Sequence, residues 1–171
     1  MELCREEITL TGDVLLGVHS NVAGDVYGYT DGHAWITAET KDNIFYFGLW
    51  PDGHPRVADK REECSDVRIG MEMGGGSKVS RYYALTAGQV LRLNAILNRP
   101  QGWAYTNTCA AWVVQVMNKV LGMNISAIDY AFFSTPRELG FQLQRLEKNS
   151  PTTRMAPRQG AFPEQVRSSS F

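Results

Sequence analysis

The stretch that decides the fold is Asn107-Thr108-Cys109-Ala110-Ala111-Trp112-Val113, in which a polar turn runs directly into an apolar helix. The apolar face of this helix comprises Trp112, Val113, Val116, Met117, Val120 and Leu121. A face this wide predicts a helix buried in the core, ended by Gly122. Cys109 lies in its first turn, where unpaired backbone N–H groups and the helix dipole stabilise a thiolate. The sequence therefore predicts Cys109 as a nucleophile at the start of a buried helix.

Upstream of this helix, two stretches form the clearest hairpin in the chain. Residues 33–40 and 44–50 are rich in β-branched and aromatic side chains, and Lys41-Asp42-Asn43 between them has the chemistry of a tight turn. The second stretch is apolar on both faces, which predicts a strand inside a sheet. His33 therefore lies at the start of a central strand.

Two more helices are predicted from their caps. Thr86 and Thr135 each open a capping box, and the helices run to about Arg99-Pro100 and to about Glu147. Residues 1–147 are expected to form a single domain. Residues 148–171 are rich in Pro, Ser, Thr, Arg and Gln, which predicts a flexible C-terminal tail.

Composition excludes several classes of protein. The chain has 171 residues and a formal net charge of -1, with Lys and Arg scattered along it, so no nucleic-acid partner is indicated. No apolar run approaches the ~18 residues of a membrane span, and residues 1–7 lack the features of a signal peptide, so we expect synthesis in the cytoplasm and no stable membrane insertion. Cys4, Cys64 and Cys109 have no disulfide-framework or zinc spacing, and all three are expected to be thiols when the protein is made.

A thiol nucleophile needs a base, and that base needs a group to orient it. The chain has three histidines, His19, His33 and His54. His33 is favoured because an imidazole at the mouth of a rigid strand is well held. A metal site made from the three histidines and a cysteine has no recognised ligand spacing, so neither a metal nor another cofactor is predicted.

The order of the two motifs resembles a known family. Gly32-His33-Ala34-Trp35-Ile36 and Asn107-Thr108-Cys109-Ala110-Ala111-Trp112 are similar to the histidine strand and the cysteine helix start of circularly permuted papain-like enzymes. That group includes permuted NlpC-type enzymes and relatives of lecithin:retinol acyltransferase. The resemblance covers about residues 31–122. It implies an α+β fold in which a central antiparallel sheet packs against a buried helix with the nucleophile at its N-terminus.

The chain departs from the family at the third catalytic position. These families usually place a histidine, asparagine or glutamine on the second strand, and residues 44–50 contain none. Pairing the hairpin about Lys41-Asp42 puts Trp50 opposite His33, so Asp52 is the expected orienting group and His54 the reserve. The backbone N–H of Cys109 is one expected oxyanion donor. Other candidates for oxyanion or substrate binding are Asn107, Gln101, Trp35 and Trp50.

The resemblance implies a cysteine peptidase or amidase acting on peptide stems of bacterial cell-wall peptidoglycan. Small members without a signal peptide resemble antibacterial effectors of type VI secretion, which implies a secretion-machinery component, a cognate immunity protein and activity in the target-cell periplasm. Two alternatives stay open. One is an acyltransferase, lipid thioesterase or deamidase on the same scaffold, and the other is a non-catalytic papain-like binding module.

Overall fold

The computed structural model describes residues 1–23, 32–129 and 132–160. These residues form an α+β structure, in which six strands make one mixed sheet and three helices accompany it. In chain order the elements are β1 (Leu15–Ser20), β2 (Ala34–Glu39), β3 (Ile44–Leu49), β4 (Val67–Ile69), β5 (Val79–Ala84), α1 (Ala87–Leu97), α2 (Cys109–Leu121), α3 (Pro136–Asn149) and β6 (Arg158–Gln159).

The sheet has the strand order β4-β3-β2-β1-β5-β6. Every neighbouring pair is antiparallel except β5 and β6, which are parallel. The predicted hairpin is confirmed as β2 and β3, closed by a Thr40 N–H bond to the Asn43 carbonyl at 2.8 Å. Trp35 pairs with Gly48, and this register, continued past the strand ends, sets His33 opposite Trp50 as predicted.

One face of the sheet is covered by α2. Along β2 the alternate residues Ala34, Ile36 and Ala38 have no exposed surface, and α2 packs against β2 and β3. The six residues of the predicted apolar face of α2 are at most 1% exposed, which confirms the prediction of a core helix. Each large apolar side chain buried in this way contributes about 1.5–3 kcal/mol to stability. This packing fixes the position of Cys109.

Threonine caps begin all three helices of the described residues. The hydroxyls of Thr86, Thr108 and Thr135 each accept a backbone N–H from the first turn of the helix that follows. The capping box at Thr86 is complete, and α2 ends at Gly122, whose φ of 68° is left-handed. The predicted helix boundaries are therefore confirmed within one or two residues.

The cysteine spacing indicated no disulfide, and that expectation is wrong for two of the cysteines. Cys4 and Cys64 form a disulfide across 60 residues of sequence, and Cys109 stays free. Backbone hydrogen bonds hold the segments around the two cysteines side by side. Glu2 N–H donates to the Glu63 carbonyl at 2.7 Å, and Ser65 N–H donates to the Glu2 carbonyl at 2.8 Å. The pairing depends on this long-range contact, which cysteine spacing does not reveal.

Reduction of this disulfide is expected to lower the free energy of unfolding by about 2–4 kcal/mol, because closing a loop of this length removes conformational entropy from the unfolded chain. Denaturant titration with and without dithiothreitol measures the difference. A Cys4→Ser, Cys64→Ser double variant is the control and should not respond to the reductant. Identical midpoints for the reduced and oxidised wild type would contradict the prediction.

The first part of the predicted tail contains regular secondary structure and contacts the domain. Helix α3 continues to Asn149, and Thr152 then binds the Glu147 carboxylate and accepts the backbone N–H of Tyr82 at 3.0 Å. Strand β6 extends the sheet beside β5, and Gly160 N–H donates to the Ala84 carbonyl at 2.8 Å. Residues 150–160 therefore pack on the domain. The rest of the predicted tail, 161–171, lies outside the described residues.

Among the described residues, every helix is too short or too polar to cross a lipid bilayer.

Candidate active site

Cys109 is the first residue of α2 and is held there by its neighbour. The Thr108 hydroxyl accepts the Ala111 N–H at 3.1 Å and donates to the Ser134 carbonyl at 2.8 Å, so the helix start is tied to a second segment of chain. Cys109 is only 7% exposed. It is the free thiol of the protein, because Cys4 and Cys64 form the disulfide. The positive end of the α2 dipole therefore acts on a nearly buried sulfur.

His33 lies immediately before β2, and its ring contacts two indoles. The ring centroids of His33 and Trp50 are 4.0 Å apart, and those of His33 and Trp35 are 5.9 Å apart. Its backbone is fixed by Asn21, whose Oδ1 accepts the His33 N–H at 2.7 Å. His33 and Cys109 line the same cleft, and the interaction with Cys109 raises the pKa of the imidazole. The structure thus brings together the two residues that the sequence paired.

The group that holds the imidazole is Glu72, which the sequence reasoning missed. Its Oε1 lies 2.8 Å from His33 Nε2 and also accepts the Trp50 Nε1–H at 2.6 Å. The Glu72 side chain is 2% exposed, although it comes from a turn at residues 71–74 after β4. Because Nε2 is taken by Glu72, Nδ1 is the ring nitrogen that is left for another partner.

The expectation that Asp52 would orient His33 is wrong. Asp52 Oδ1 forms an ion pair with Arg68 Nη2 at 2.5 Å. Glu72, not Asp52, forms the hydrogen bond with the His33 imidazole. Arg68 belongs to β4 and pairs with Gly48 of β3, so its guanidinium lies near the turn that follows β3 and draws Asp52 towards it. The hairpin register gave the position of His33 but gave no information on β4.

The charge on His33 is set by two opposing effects. Burial alone lowers the pKa of the imidazole, but the hydrogen bonds and negative charge of Cys109 and Glu72 outweigh burial and raise that pKa to about 9. The imidazole is therefore protonated at neutral pH. A sulfur beside a charged imidazole, itself held by a carboxylate, has the order of groups that nucleophilic catalysis by a thiol requires.

The predicted oxyanion donors Asn107 and Gln101 do not line the cleft at Cys109. Asn107 Nδ2 donates to the Gly102 carbonyl at 2.7 Å and closes the turn before α2, and the Gln101 carbonyl accepts the Asp66 N–H at 2.7 Å. Asn21 does line the cleft, and its Nδ2 is left as a donor because Oδ1 is taken by His33. The loop chemistry around Asn21 gave no specific signal for this role.

The Cys109 cleft has a volume of about 500 Å³. Its lining includes His33, which precedes β2, and Trp50, His54 and Arg56, which follow β3. The lining also has an aromatic wall, formed by Trp103, Tyr105 and Phe133. Trp50 is therefore both a cleft residue and a partner of Glu72. Trp35 was an equal candidate for substrate binding, but it is 4% exposed and lines a different, smaller cavity of about 180 Å³.

His19 belongs to that smaller cavity rather than to the Cys109 cleft. Its Nδ1 lies 2.8 Å from Ser80 Oγ and its Nε2 lies 2.9 Å from Thr37 Oγ1. His54, the reserve candidate for orienting His33, instead contacts Trp50 edge-on at a centroid distance of 4.7 Å. The nitrogen Nε2 of His33 is bound by Glu72. No cluster of three or more metal-ligating side chains occurs in the described parts of the chain.

Acidification is expected to destabilise the protein through His19. Burial lowers the pKa of His19 from 6.5 to about 4, so the folded state keeps this imidazole neutral. The associated stability is present above pH 6.5 and is lost as the pH falls towards 4, by up to about 3 kcal/mol. Urea unfolding between pH 4 and 7 measures this loss. A His19→Gln variant should have a shallower dependence, and parallel curves for the two proteins would contradict the assignment.

Comparisons of this chain with models of known protein families, with curated proteins and with solved structures found no match.

Proposed function

We propose that the protein is a cysteine hydrolase that cleaves an amide bond by nucleophilic attack of Cys109, with His33 as acid and base and Glu72 as the orienting group. The observation that carries the proposal is that Cys109 and His33 line one cleft, while the His33 imidazole lies 2.8 Å from the buried Glu72 carboxylate. A structural cysteine needs no such partners, since buried thiols act as small apolar side chains.

The reaction has two stages. The Cys109 sulfur attacks the carbonyl carbon, and the backbone N–H of Cys109 and Asn21 Nδ2 donate to the oxygen that becomes negative. The His33 imidazolium then protonates the leaving amine as the carbon–nitrogen bond breaks, which leaves a thioester on Cys109. In the second stage neutral His33 takes a proton from water while the water oxygen attacks the thioester. The carbon–sulfur bond then breaks, which releases the acid and restores the Cys109 thiolate and the His33 imidazolium.

The architecture proposed for the domain is the circularly permuted papain-like fold. Support comes from the chain order, in which the histidine strand β2 precedes the cysteine helix α2, and from the packing of α2 on β2. The third residue comes from the turn after β4 rather than from the second strand. The proposed fold is therefore a variant of the family pattern at this position.

The substrate follows from the resemblance of the histidine and cysteine motifs to NlpC-type enzymes. The proposed substrate is a peptide or amide bond in the peptide stems of bacterial peptidoglycan, and the proposed role is that of a secreted antibacterial effector acting in the target-cell periplasm. A secretion-machinery component and a cognate immunity protein would be its partners. The Cys4–Cys64 disulfide supports a site of action outside the reducing cytoplasm.

Digestion of purified cell wall tests the proposal. The wild type is expected to release peptide fragments with new amine and carboxyl termini, and the Cys109→Ala and His33→Ala variants are expected to release none above background. Leu91→Ala, at an exposed position of α1, is the matched control and should cut as the wild type does. Intact wall in the presence of the wild type would exclude peptidoglycan as the substrate.

One feature of the cleft favours a second function. The wall formed by Trp103, Tyr105 and Phe133 is aromatic, and Tyr105 is 67% exposed, which suits an apolar acyl group. An acyltransferase or lipid thioesterase would use the same three catalytic residues. Release of a fatty acid from a thioester or lipid, with no cleavage of cell wall, would decide for this alternative.

A further inference from the structure

We propose that the mouth of the Cys109 cleft is a receptor for a carboxylate, formed by Arg56 and His54, and that this carboxylate belongs to the amine released in the reaction. The inference rests on the proposed function for the reaction itself and names the class of substrate. That class is an amide whose leaving amine bears a free carboxylate.

Arg56 is held in place without being neutralised. Its Nη2 donates to the Met71 carbonyl at 2.9 Å, and its Cζ lies 5.5 Å from the centroid of the Trp50 ring. Among the described residues no carboxylate forms an ion pair with Arg56, whereas Arg81 and Arg154 each have one. An arginine that is positioned by neutral groups retains its full charge for a ligand, and its fork of donors matches a carboxylate.

His54 adds a second donor beside this guanidinium. Its Nδ1 accepts the Arg56 backbone N–H at 3.2 Å, so the neutral ring carries its proton on Nε2. Its ring edge contacts Trp50, as the Arg56 guanidinium does from another direction. His54 and Arg56 therefore both pack on the Trp50 ring at the edge of the cleft.

The charge of the cleft also favours an anion. The described residues that line it include Arg56 and the protonated His33 but no aspartate or glutamate. Glu72 is 2% exposed, lies behind His33 and is not part of the lining. A negatively charged group would therefore meet only positive or neutral side chains on these walls.

The receptor lies on the side of the leaving group. The Trp50 ring that carries Arg56 and His54 is also in contact with His33, at a centroid distance of 4.0 Å. His33 gives its proton to the leaving amine, so the portion of the substrate that contains this amine must lie against His33 and the adjoining Trp50. The acyl portion would then face the aromatic wall at Trp103 and Tyr105.

Two alkylating probes test the receptor without any turnover. N-iodoacetylglycine and its carboxamide react with Cys109 in the same way, since the sulfur displaces iodide from carbon, but only the first carries a carboxylate at its far end. The measured quantity is the rate of alkylation by the carboxylate probe divided by the rate with the carboxamide probe. For Cys109 of the wild type this ratio is expected to be about tenfold higher than for a small neutral thiol in solution. Arg56→Gln should reduce this ratio to that of the free thiol, and Arg56→Lys should restore part of it.

The matched control is Arg145→Gln, which removes one positive charge from an exposed site on α3 that does not line the cleft and should leave the ratio unchanged. High salt should reduce the wild-type ratio. Equal ratios in the wild type and Arg56→Gln would overturn the receptor while leaving the hydrolase proposal intact. Conversely, a high Arg56-dependent ratio with uncut cell wall would support the receptor and exclude the proposed substrate.

Discussion

Replacing Glu72 by alanine is expected to reduce the rate of the Cys109-dependent reaction by a factor on the order of 10⁴, the size of effect found when the carboxylate of a catalytic triad is removed. Glu72 Oε1 holds both His33 Nε2 and Trp50 Nε1, so alanine frees the imidazole and leaves a buried indole N–H without its acceptor. Release of cell-wall fragments, or alkylation of Cys109 at pH 7, measures the loss.

The Glu72→Gln variant distinguishes the effect of the negative charge from the effect of orienting the His33 imidazole. Its amide oxygen can accept both hydrogen bonds, so the loss should be smaller than with alanine, about tenfold. Removing the negative charge lowers the pKa of His33 from its value of about 9, and the activity that depends on the imidazolium should then disappear at a lower pH than in the wild type. An unchanged alkaline limb in Glu72→Gln would contradict the role assigned to the carboxylate.

Gly48→Ala is the second substitution with a large expected effect. A Cβ at Gly48 would overlap Glu72 Oε1 and would lie 2.7 Å from His33 Nε2. Glu72 Oε1 and His33 Nε2 are hydrogen-bonded to each other inside the protein. They can make room for the new methyl group only by breaking that hydrogen bond. We expect activity to fall by a factor of about 10² or more, with a loss of stability of about 1–3 kcal/mol from overpacking.

Gly88→Ala is the control for this substitution. A Cβ at Gly88 in α1 meets nothing within 4 Å, and alanine suits a helix better than glycine, so activity should be unchanged and stability slightly higher. Rates and urea midpoints of the two variants give the comparison. If Gly48→Ala retained wild-type activity, the contact between His33 and Glu72 could not be required for catalysis.

The sequence was sufficient to single out Cys109 and His33, the two residues of the proposed catalytic pair, because the position of each depends on local chemistry. Thr108 caps α2 through its own first turn, and the apolar period of the helix predicts burial whatever it packs against. The turn between β2 and β3 fixes the hairpin register, which in turn sets His33 opposite Trp50. These features are determined within about ten residues of chain.

The orienting residue could not be found in this way. The segment from Arg56 to Gly74 has no strong periodicity, and its one short strand, β4, is three residues long. Glu72 reaches His33 from 39 residues away, and its position depends on the pairing of β4 with β3. A carboxylate in a surface-like loop gives no sign in the sequence that it will be buried against an imidazole.

The sequence by itself determined the capped helix with Cys109 at its start, the hairpin that begins at His33 and the α+β class. Only the tertiary structure decided that Glu72 rather than Asp52 holds the imidazole, that Cys4 bonds to Cys64 and that residues 150–160 pack beside β5. The physical reason is the range of the interactions. Caps, turns and apolar periods act between neighbours in the chain, whereas these contacts form between segments that only the packed sheet brings together.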